Sequence, residues 1–271
     1  MGKRQIRMIA FDMDGTVLYD GSEISARLQS ILKKALEQGI YVVPCTGRAR
    51  CEIPHTLTAL GLTHTVTTNG ALIRDERTGQ TLHTKLIPWE MAAEIYHELK
   101  KLDVYVTVHI GGRVFFKGES EQEVRDIYGL ADYIPMPTIR DAEVFVRETQ
   151  EDLEKIYARA RTPQEHERIM EVVKGKYPLF YSSSAVTNME FSALGCSKGS
   201  ALEWLCAHLG VDPSQVVAFG DSENDKEMLR FAGIGAAMAN GNDLCKAAAD
   251  VVIGTCADDG VAEYLEQLLA E

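Results

Sequence analysis

The sequence predicts an α/β protein whose parallel sheet is interrupted by an inserted α+β unit. Short apolar runs alternate with helical apolar periodicity before residue 83 and again after residue 195, as in strands joined by crossover helices. The intervening residues carry hairpin signals, which are typical of an antiparallel sheet. Several apolar runs end abruptly in polar, glycine-containing turns, as strands do at the ligand-binding edge of a parallel sheet.

In the first part of the chain, strand and helix signals alternate strictly. Residues 6–11 form an apolar run, and apolar side chains then recur at helical spacing over residues 24–36. A strand is predicted over residues 40–44, a helix over residues 52–60 and a third strand over residues 65–67. This order predicts a parallel sheet with right-handed crossovers.

The middle part of the chain mixes helices with hairpins. A helix is predicted over residues 88–102, and two strands are predicted to turn around Gly111 and Gly112. The other predicted elements here are a strand over 153–160, a helix over 163–174 and strands over 179–182 and 188–191. This pattern predicts an α+β unit of domain size.

The α/β pattern resumes in the last part of the chain. Its predicted elements are a helix opening at Lys198, strands over 216–219, 234–237 and 251–253, a helix around Met228, and a closing helix through Leu269. We therefore expect residues 1–82 and 190–271 to form one core, with residues 83–189 as an inserted cap.

Composition narrows the classes of function. The chain of 271 residues is 45% hydrophobic and 25% charged, as globular proteins are, and its net charge is −12. That charge argues against nucleic acid or a membrane surface as a partner, so an anionic substrate needs a local positive pocket. The six cysteines form no C-x-x-C pair, no apolar run approaches a membrane span, and no obligate protein partner is evident. We expect a cytoplasmic protein with reduced thiols.

The clearest chemical signal follows the first apolar run. Asp12 and Asp14 flank Met13 and precede Gly15 and Thr16. Two carboxylates one residue apart in a tight turn can supply a nucleophile and a proton donor, or share a cation. A solvated turn is the ordinary alternative, because Asp and Gly are common turn residues. Partners elsewhere in the chain decide between the two interpretations.

Two further strand ends and one helix start provide such partners. Thr46, Gly47 and Arg48 follow the second apolar run, Lys198 opens a helix, and the polar segment 220–225 completes a later strand. Because the carboxyl ends of parallel strands share one edge of the sheet, we expect these residues to meet. Carboxylates, hydroxyls, glycine-rich turns and a lysine are suited to hold a phosphoryl group together with Mg²⁺.

These residues resemble the four motifs of the haloacid dehalogenase-type (HAD) phosphohydrolases. The inserted unit, together with Asn69-Gly70-Ala71 and the segment 220–229, resembles the Cof-type sugar-phosphatase branch with its α/β cap of type C2B. The resemblance covers nearly the whole chain. It implies a Rossmann-like parallel-sheet core, Mg²⁺ as cofactor, and hydrolysis of small phosphorylated metabolites through an aspartyl-phosphate.

The resemblance also implies a role for each acidic motif residue. Asp12 is the expected nucleophile, with metal binding alone as the alternative, and Asp14 is the expected general acid and base. The expected Mg²⁺ ligands are Asp12, Asp221 and the backbone carbonyl of Asp14, with Asp225 and Thr16 just behind them. The alternatives are a helix-start acid for Asp225 and a simple turn cap for Thr16.

Six residues are implied as contacts to the phosphate or the substrate. They are Met13, Thr46, Gly47, Arg48, Lys198 and Asn224. Lys198 would also offset the negative charge around Asp12. Arg48 has an alternative role as a structural ion-pair partner. Asn69 and Gly70 are expected to shape the rim beside the cap rather than to take part in catalysis.

Substrate choice is expected in the cap, because a lid that closes over the leaving group excludes water. Its candidate contacts are His109, Arg113, Arg140 and Arg147, although solvated or ion-paired roles are commoner for such side chains. Two other functions stay open. One is a phosphosugar mutase similar to the phosphomannomutases. The other is a non-catalytic protein that binds phosphorylated metabolites or has a regulatory role.

Overall fold

The computed structural model describes residues 5–20, 22–102, 104–128, 134–182 and 187–270. Its strands are β1 (Met8–Phe11), β2 (Tyr41–Pro44), β3 (His64–Thr67), β4 (Leu72–Asp75), β5 (Thr81–Thr84), β6 (Tyr105–Ile110), β7 (Arg113–Lys117), β8 (Thr138–Ile139), β9 (Lys155–Arg159), β10 (Leu179–Ser182), β11 (Asn188–Ala193), β12 (Val216–Gly220), β13 (Ile234–Met238) and β14 (Val251–Ile253). Its helices are α1 (Ala26–Glu37), α2 (His55–Thr58), α3 (Trp89–Lys100), α4 (Glu121–Tyr128), α5 (Ala142–Thr149), α6 (Pro163–Val173), α7 (Lys198–Leu209), α8 (Lys226–Phe231), α9 (Asp243–Lys246) and α10 (Gly260–Ala270).

These elements form two compact units. The core unit comprises Met1–Arg48, Ile53–His83 and Ser197–Glu271, and the inserted unit comprises Ala49–Glu52 and Thr84–Cys196. The predicted return to the core at residue 190 falls inside β11, whose pairing with β10 continues to Ala193. No helix in the described ranges is long and apolar enough to cross a bilayer.

The core unit is built on a five-stranded parallel sheet in the order β14-β13-β12-β1-β2. Alternate side chains of β1 enter the apolar layers on opposite faces of the sheet. Ile9 and Phe11 pack with α1 and α10 on one face. Met8 and Ala10 pack with α7 and α8 on the other. Both faces are therefore apolar, which is why the strand appears in the sequence as a continuous apolar run. The predicted α/β class is confirmed.

The third predicted strand belongs to a different sheet. β3 pairs antiparallel with β4 in a three-stranded sheet with β5. A parallel bridge between Val66 of β3 and Cys45, the residue after β2, links it to the end of β2. At residues 68–70 the chain reverses at once, which brings β4 alongside β3. Asn-Gly between two short strands is a hairpin signal, and the sequence prediction included neither β4 nor β5.

The predicted helix over residues 52–60 is also much shorter. The structure has a 3-10 turn at Arg50–Glu52, followed by α2 at His55–Thr58. Pro54 separates them, because proline lacks a donor and disfavours helical backbone in the residue before it.

The inserted unit contains a six-stranded sheet in the order β10-β11-β9-β6-β7-β8. Its strand pairs are antiparallel except β7–β8. One face is apolar and joins α3, α5 and α6 in a common core through side chains such as Val106, Val108 and Ile156. The opposite face carries polar side chains, including Thr107 and His109 of β6. The α+β class predicted for this part of the chain is confirmed, while α4 and α5 were not predicted.

Candidate active site

Four chain segments of the core unit meet at the carboxyl edge of the parallel sheet. Asp12 directly follows β1, Thr46 lies just beyond β2, Asp221 directly follows β12, and Lys198 is the first residue of α7. The register places the ends of β1 and β12 side by side, and the Asp12 N–H donates to the Phe219 carbonyl at 2.9 Å. Parallel pairing thus brings together motifs that lie far apart in the chain.

A buried ion cluster lies at the centre of this edge. The ammonium of Lys198 donates to Asp12 Oδ1 at 2.5 Å and to Asp225 Oδ1 at 2.6 Å. All three side chains are buried. Burial by itself would lower the pKa of Lys198, but the two carboxylates outweigh it and raise that pKa above its usual value. Lys198 is therefore a permanent cation that holds Asp12 in place.

Asp225 contacts this lysine directly, and so lies closer to the centre than the sequence predicts. Its second oxygen, Oδ2, accepts the backbone N–H groups of Asp221 and Ser222, each at 3.0 Å. One carboxylate thus binds Lys198 and also shapes the turn that follows β12. Gly220 is required beside it, since a Cβ there would lie 2.5 Å from the Cβ of Asp225.

Asp221 lies next to the turn that follows Asp12. Thr16 Oγ1 donates to Asp221 Oδ1 at 3.2 Å, so Thr16 orients this carboxylate besides closing its own turn. At Gly15, where φ is +78°, an added Cβ would lie 2.6 Å from Asp221 Oδ2, so only glycine allows this close approach. Burial, reinforced by Asp225, raises the pKa of Asp221.

The acidic side chains fit a divalent cation. One carboxylate oxygen from each of Asp12, Asp221 and Asp225 lies within 4.8 Å of the others. Hard oxygen donors of this kind suit Mg²⁺. Because Asp225 already engages Lys198 and two backbone donors, Asp12 and Asp221 are the better ligands of the three.

For protein stripped of divalent cations, the free energy of unfolding is expected to fall as the pH rises from 5 to 8.5. Burial raises the pKa of Asp12 from 3.8 to about 8, against the opposing effect of Lys198. The folded state keeps a proton on Asp12 that the unfolded chain releases near pH 4. The protonated side chain therefore contributes its full stabilisation below about pH 4, and this stabilisation is lost as the pH rises through about 8. Thermal unfolding in EDTA across this range measures the loss. Asp12→Asn should reduce it, and an equal fall in both proteins would contradict the assignment.

Asp14 and Arg48 form an ion pair at the edge of the cluster. Arg48 Nε donates to Asp14 Oδ2 at 2.8 Å and Nη2 to Asp14 Oδ1 at 2.5 Å, while 52% of the Asp14 side chain is exposed. The guanidinium was predicted to contact phosphate. In the structure it takes the alternative role of an ion-pair partner, and that partner is the expected general acid.

The other predicted contacts occupy different positions. The Met13 side chain is fully buried in the core, so only its main chain can face a ligand. Thr46 is buried, and its hydroxyl accepts the Arg48 N–H at 3.0 Å. Asn224 donates from Nδ2 to Asn69 Oδ1 at 3.1 Å, and the same oxygen lies against Gly47.

Asn240 was missed by the sequence prediction. Its Nδ2 donates to the Gly15 carbonyl at 2.8 Å, and its Oδ1 accepts the Cys256 N–H at 2.8 Å. It therefore links the turn after Asp12 to the chain beyond β14. The signal was available, because Asn240 follows an apolar strand just as the recognised motifs do.

The cap residues singled out from the sequence have partners within the inserted unit. His109 is buried, and its Nε2 lies 2.9 Å from Thr107 Oγ1. Arg140 pairs with Glu119 and Arg147 with Glu143, while Arg113 lies over the ring of Phe115. The three arginines thus have the ordinary ion-paired or packed roles.

The fold and the site together define a class of protein: an α/β enzyme core with an acidic turn after its first strand and an α+β insertion. The chain matches the haloacid dehalogenase-like hydrolase family over residues 9–265, and it belongs to that family. The predicted family and the predicted enzyme class, a phosphatase of this family, are confirmed.

Relatives of known name agree over nearly the full length. The chain is 31% identical over 280 residues to an HMP-PP phosphatase from Serratia proteamaculans, covering 97% of this chain and 95% of the relative. It is 29% identical to the 5-amino-6-(5-phospho-D-ribitylamino)uracil phosphatase YcsE of Bacillus subtilis, with 96% and 94% covered. A haloacid dehalogenase-like hydrolase from B. subtilis has a similar structure, with a TM-score of 0.84, 28% identity, and 96% and 99% covered.

Proposed function

We propose that this chain is a Mg²⁺-dependent phosphatase that hydrolyses small phosphorylated metabolites through a phosphoryl group carried on Asp12. The observation that supports this most directly is the buried Asp12 carboxylate, held by Lys198 beside Asp221 at the edge of the sheet. A carboxylate fixed by a buried cation is positioned as a nucleophile rather than as a solvated turn residue.

The proposed reaction has two steps. In the first, an oxygen of Asp12 attacks phosphorus, the bond from phosphorus to the ester oxygen breaks, and Asp14 gives its proton to that leaving oxygen. In the second, Asp14 takes a proton from water and the water oxygen attacks phosphorus. The bond from phosphorus to the Asp12 oxygen breaks, which releases inorganic phosphate and restores the Asp12 carboxylate. Asp14 ends as it began, protonated.

The remaining groups position the phosphoryl group and balance its charge. Lys198 is proposed to offset the charge of Asp12 and the phosphoryl oxygens, while Thr46, the Gly47 N–H and Asn224 hold those oxygens. Asp12, Asp221 and the main-chain carbonyl of Asp14 would hold Mg²⁺, which supplies further positive charge to the phosphate.

The ion pair with Arg48 limits what Asp14 can do. Both carboxylate oxygens of Asp14 accept hydrogen bonds from the guanidinium. The guanidinium occupies both oxygens, so the proposed acid step requires the pair to open partly and let one Asp14 oxygen face the leaving group. Opening of the pair would let Arg48 contact the substrate phosphate, as the family resemblance implies.

In the inserted unit, one group of polar side chains, most of them buried, is proposed to select a small polar substrate. On the polar face of its sheet the side chains include Thr107 and His109 of β6, Lys155 and Tyr157 of β9, and Glu190 of β11, which the strand registers place side by side. Lys155 Nζ lies 3.4 Å from Glu190 Oε1. Donors and acceptors on one face suit a ligand with several polar groups, such as the substrates for which the two relatives are named.

Phosphate release tests this function. We expect the protein to release inorganic phosphate from p-nitrophenyl phosphate with Mg²⁺, to stop when EDTA is added, and to recover with excess Mg²⁺. A panel of phosphorylated sugars, nucleotides and vitamins then ranks the substrates. Isomer formation that depends on a bisphosphate activator would assign the mutase alternative instead. Binding of phosphorylated ligands without turnover would assign the non-catalytic one.

A further inference from the structure

The turn after β3 places Thr68 in a conformation that threonine does not adopt readily. Thr68, Asn69 and Gly70 have φ values of 52°, 55° and 99°, so three consecutive residues lie in the left-handed region. Only glycine adopts it without cost, and a β-branched threonine is especially disfavoured. Contacts with the surrounding structure must therefore hold this turn, and those contacts lead to the site.

The first contacts hold the loop that follows β2. The Asn69 N–H donates to the Thr46 carbonyl and the Thr68 N–H to the Arg48 carbonyl, each at 2.9 Å. These two carbonyls flank Gly47. An added Cβ on Gly47 would lie 3.1 Å from Asn69 Oδ1, so the Asn69 side chain lies directly against this glycine. The turn thereby determines how the Gly47 peptide faces the site.

The second contact holds Asn224. Asn69 is 5% exposed, and its Oδ1 accepts a hydrogen bond from Asn224 Nδ2 at 3.1 Å. The Asn224 Oδ1 is buried and has no hydrogen-bond partner among the residues that the structure describes. The single acceptor on Asn69 therefore orients the amide, engaging one Nδ2 hydrogen and leaving the other for a ligand.

The third contact is with the start of α7. An added Cβ on Gly70 would lie 2.3 Å from the carbonyl oxygen of Ser197, the residue before Lys198. The turn thus packs against all three chain segments that are proposed to hold the phosphoryl group. A turn that only shaped the rim would not need contacts with each of them.

We propose that Asn69 is a positioning residue for phosphate binding, acting through Asn224 and the Gly47 loop without touching the reacting atoms. This rests on the proposed function, in which Asn224 and Gly47 hold phosphoryl oxygens. Removing the Asn69 acceptor leaves the Asn224 amide free to rotate, so a bound phosphate must itself restrict that rotation and loses affinity.

The test is a double-mutant cycle on the full chain. Asn69→Gly removes the acceptor, while glycine keeps the left-handed backbone without strain. We expect it to weaken binding of inorganic phosphate in Mg²⁺ buffer, measured by isothermal titration calorimetry, about fivefold to tenfold. Asn224→Ala should weaken it at least as much. The double variant should match Asn224→Ala within about twofold, because both substitutions remove the same interaction.

Thr68→Gly is the matched control, since it loosens the same turn and keeps the Asn69 acceptor. We expect its phosphate affinity to stay within about twofold of wild type, which is the error with which the effects of independent substitutions add. For Asn69→Gly, kcat/KM with p-nitrophenyl phosphate should fall in parallel with phosphate affinity.

Several results would overturn the proposal. They are an affinity of Asn69→Gly within twofold of wild type, an equal loss in Thr68→Gly, or losses that multiply in the double variant. An Asn224→Ala protein with unchanged affinity would remove its basis as well. If phosphate binding shows the expected coupling but no ester is hydrolysed, the proposed function fails while the positioning role of Asn69 stands.

Discussion

Replacing Asp12 with asparagine is expected to lower phosphate release at least about 10⁴-fold, because a neutral amide cannot attack phosphorus and no covalent phosphoryl group can form. The variant should nevertheless fold. The amide is isosteric, its oxygen can still accept from Lys198, and the charge that it removes is one that burial disfavours. The measurement is turnover of p-nitrophenyl phosphate in Mg²⁺ buffer, with circular dichroism to verify the fold.

Asp20→Asn is the control for this experiment. Asp20 is an exposed acid of the same chain segment, and it accepts hydrogen bonds from Ser22. Its loss should leave turnover unchanged. Acid quenching of the wild-type enzyme during turnover should also trap a phosphoryl group on the peptide that contains Asp12. Near-normal turnover by Asp12→Asn would disprove the mechanism, whatever the trapping experiment shows.

Replacing Lys198 with methionine is expected to impair both activity and stability. The substitution leaves Asp12 and Asp225 buried without their shared cation, and breaking a buried ion pair on one side costs about 3–5 kcal/mol. For a chain of this size that corresponds to a fall of about 10 °C in the unfolding midpoint. Turnover should fall about 10²-fold to 10³-fold or more, because positive charge at the transferring group is lost.

The loss of stability has its own pH signature. Without Lys198, burial raises the pKa of Asp12 further, so this carboxyl group takes up a proton and needs no cation as the pH falls, and the difference from wild type should shrink. Lys226→Met is the matched control, since its partly exposed ion pair with Glu223 contributes about 0–1 kcal/mol at most. Thermal unfolding of the three proteins at several pH values makes the comparison. Equal stability of Lys198→Met and Lys226→Met at neutral pH would refute the proposed cluster.

The order of strands and helices was predictable where local pattern and burial agree. β1 and β12 are buried on both faces, so each appears as an apolar run, and a polar turn marks the end of each. β3 is also buried along its whole length, yet it was assigned to the wrong sheet. A strand's own sequence does not state its partner, because pairing depends on the turn that follows it.

For the candidate site too, some features were predictable from the sequence and others were not. The spacing of carboxylates, glycines and Lys198 was sufficient to identify the residues that the structure brings to one edge. It was not sufficient to predict that Asp225 binds Lys198, that Arg48 binds Asp14, or that Asn240 holds the Gly15 carbonyl. Each of these contacts joins side chains whose separation in sequence carries no signal, and only folded geometry determines them.

The sequence by itself determined the α/β class and the inserted α+β unit, because these depend on periodicity, and its motif residues carried the resemblance to the family. The tertiary structure alone decided that β3 leaves the parallel sheet and that one strained turn at Asn69 contacts the chain segments around the phosphate site. The physical reason is that periodicity is written in neighbouring residues, whereas strand partners and side-chain contacts are selected by the packing of the whole core.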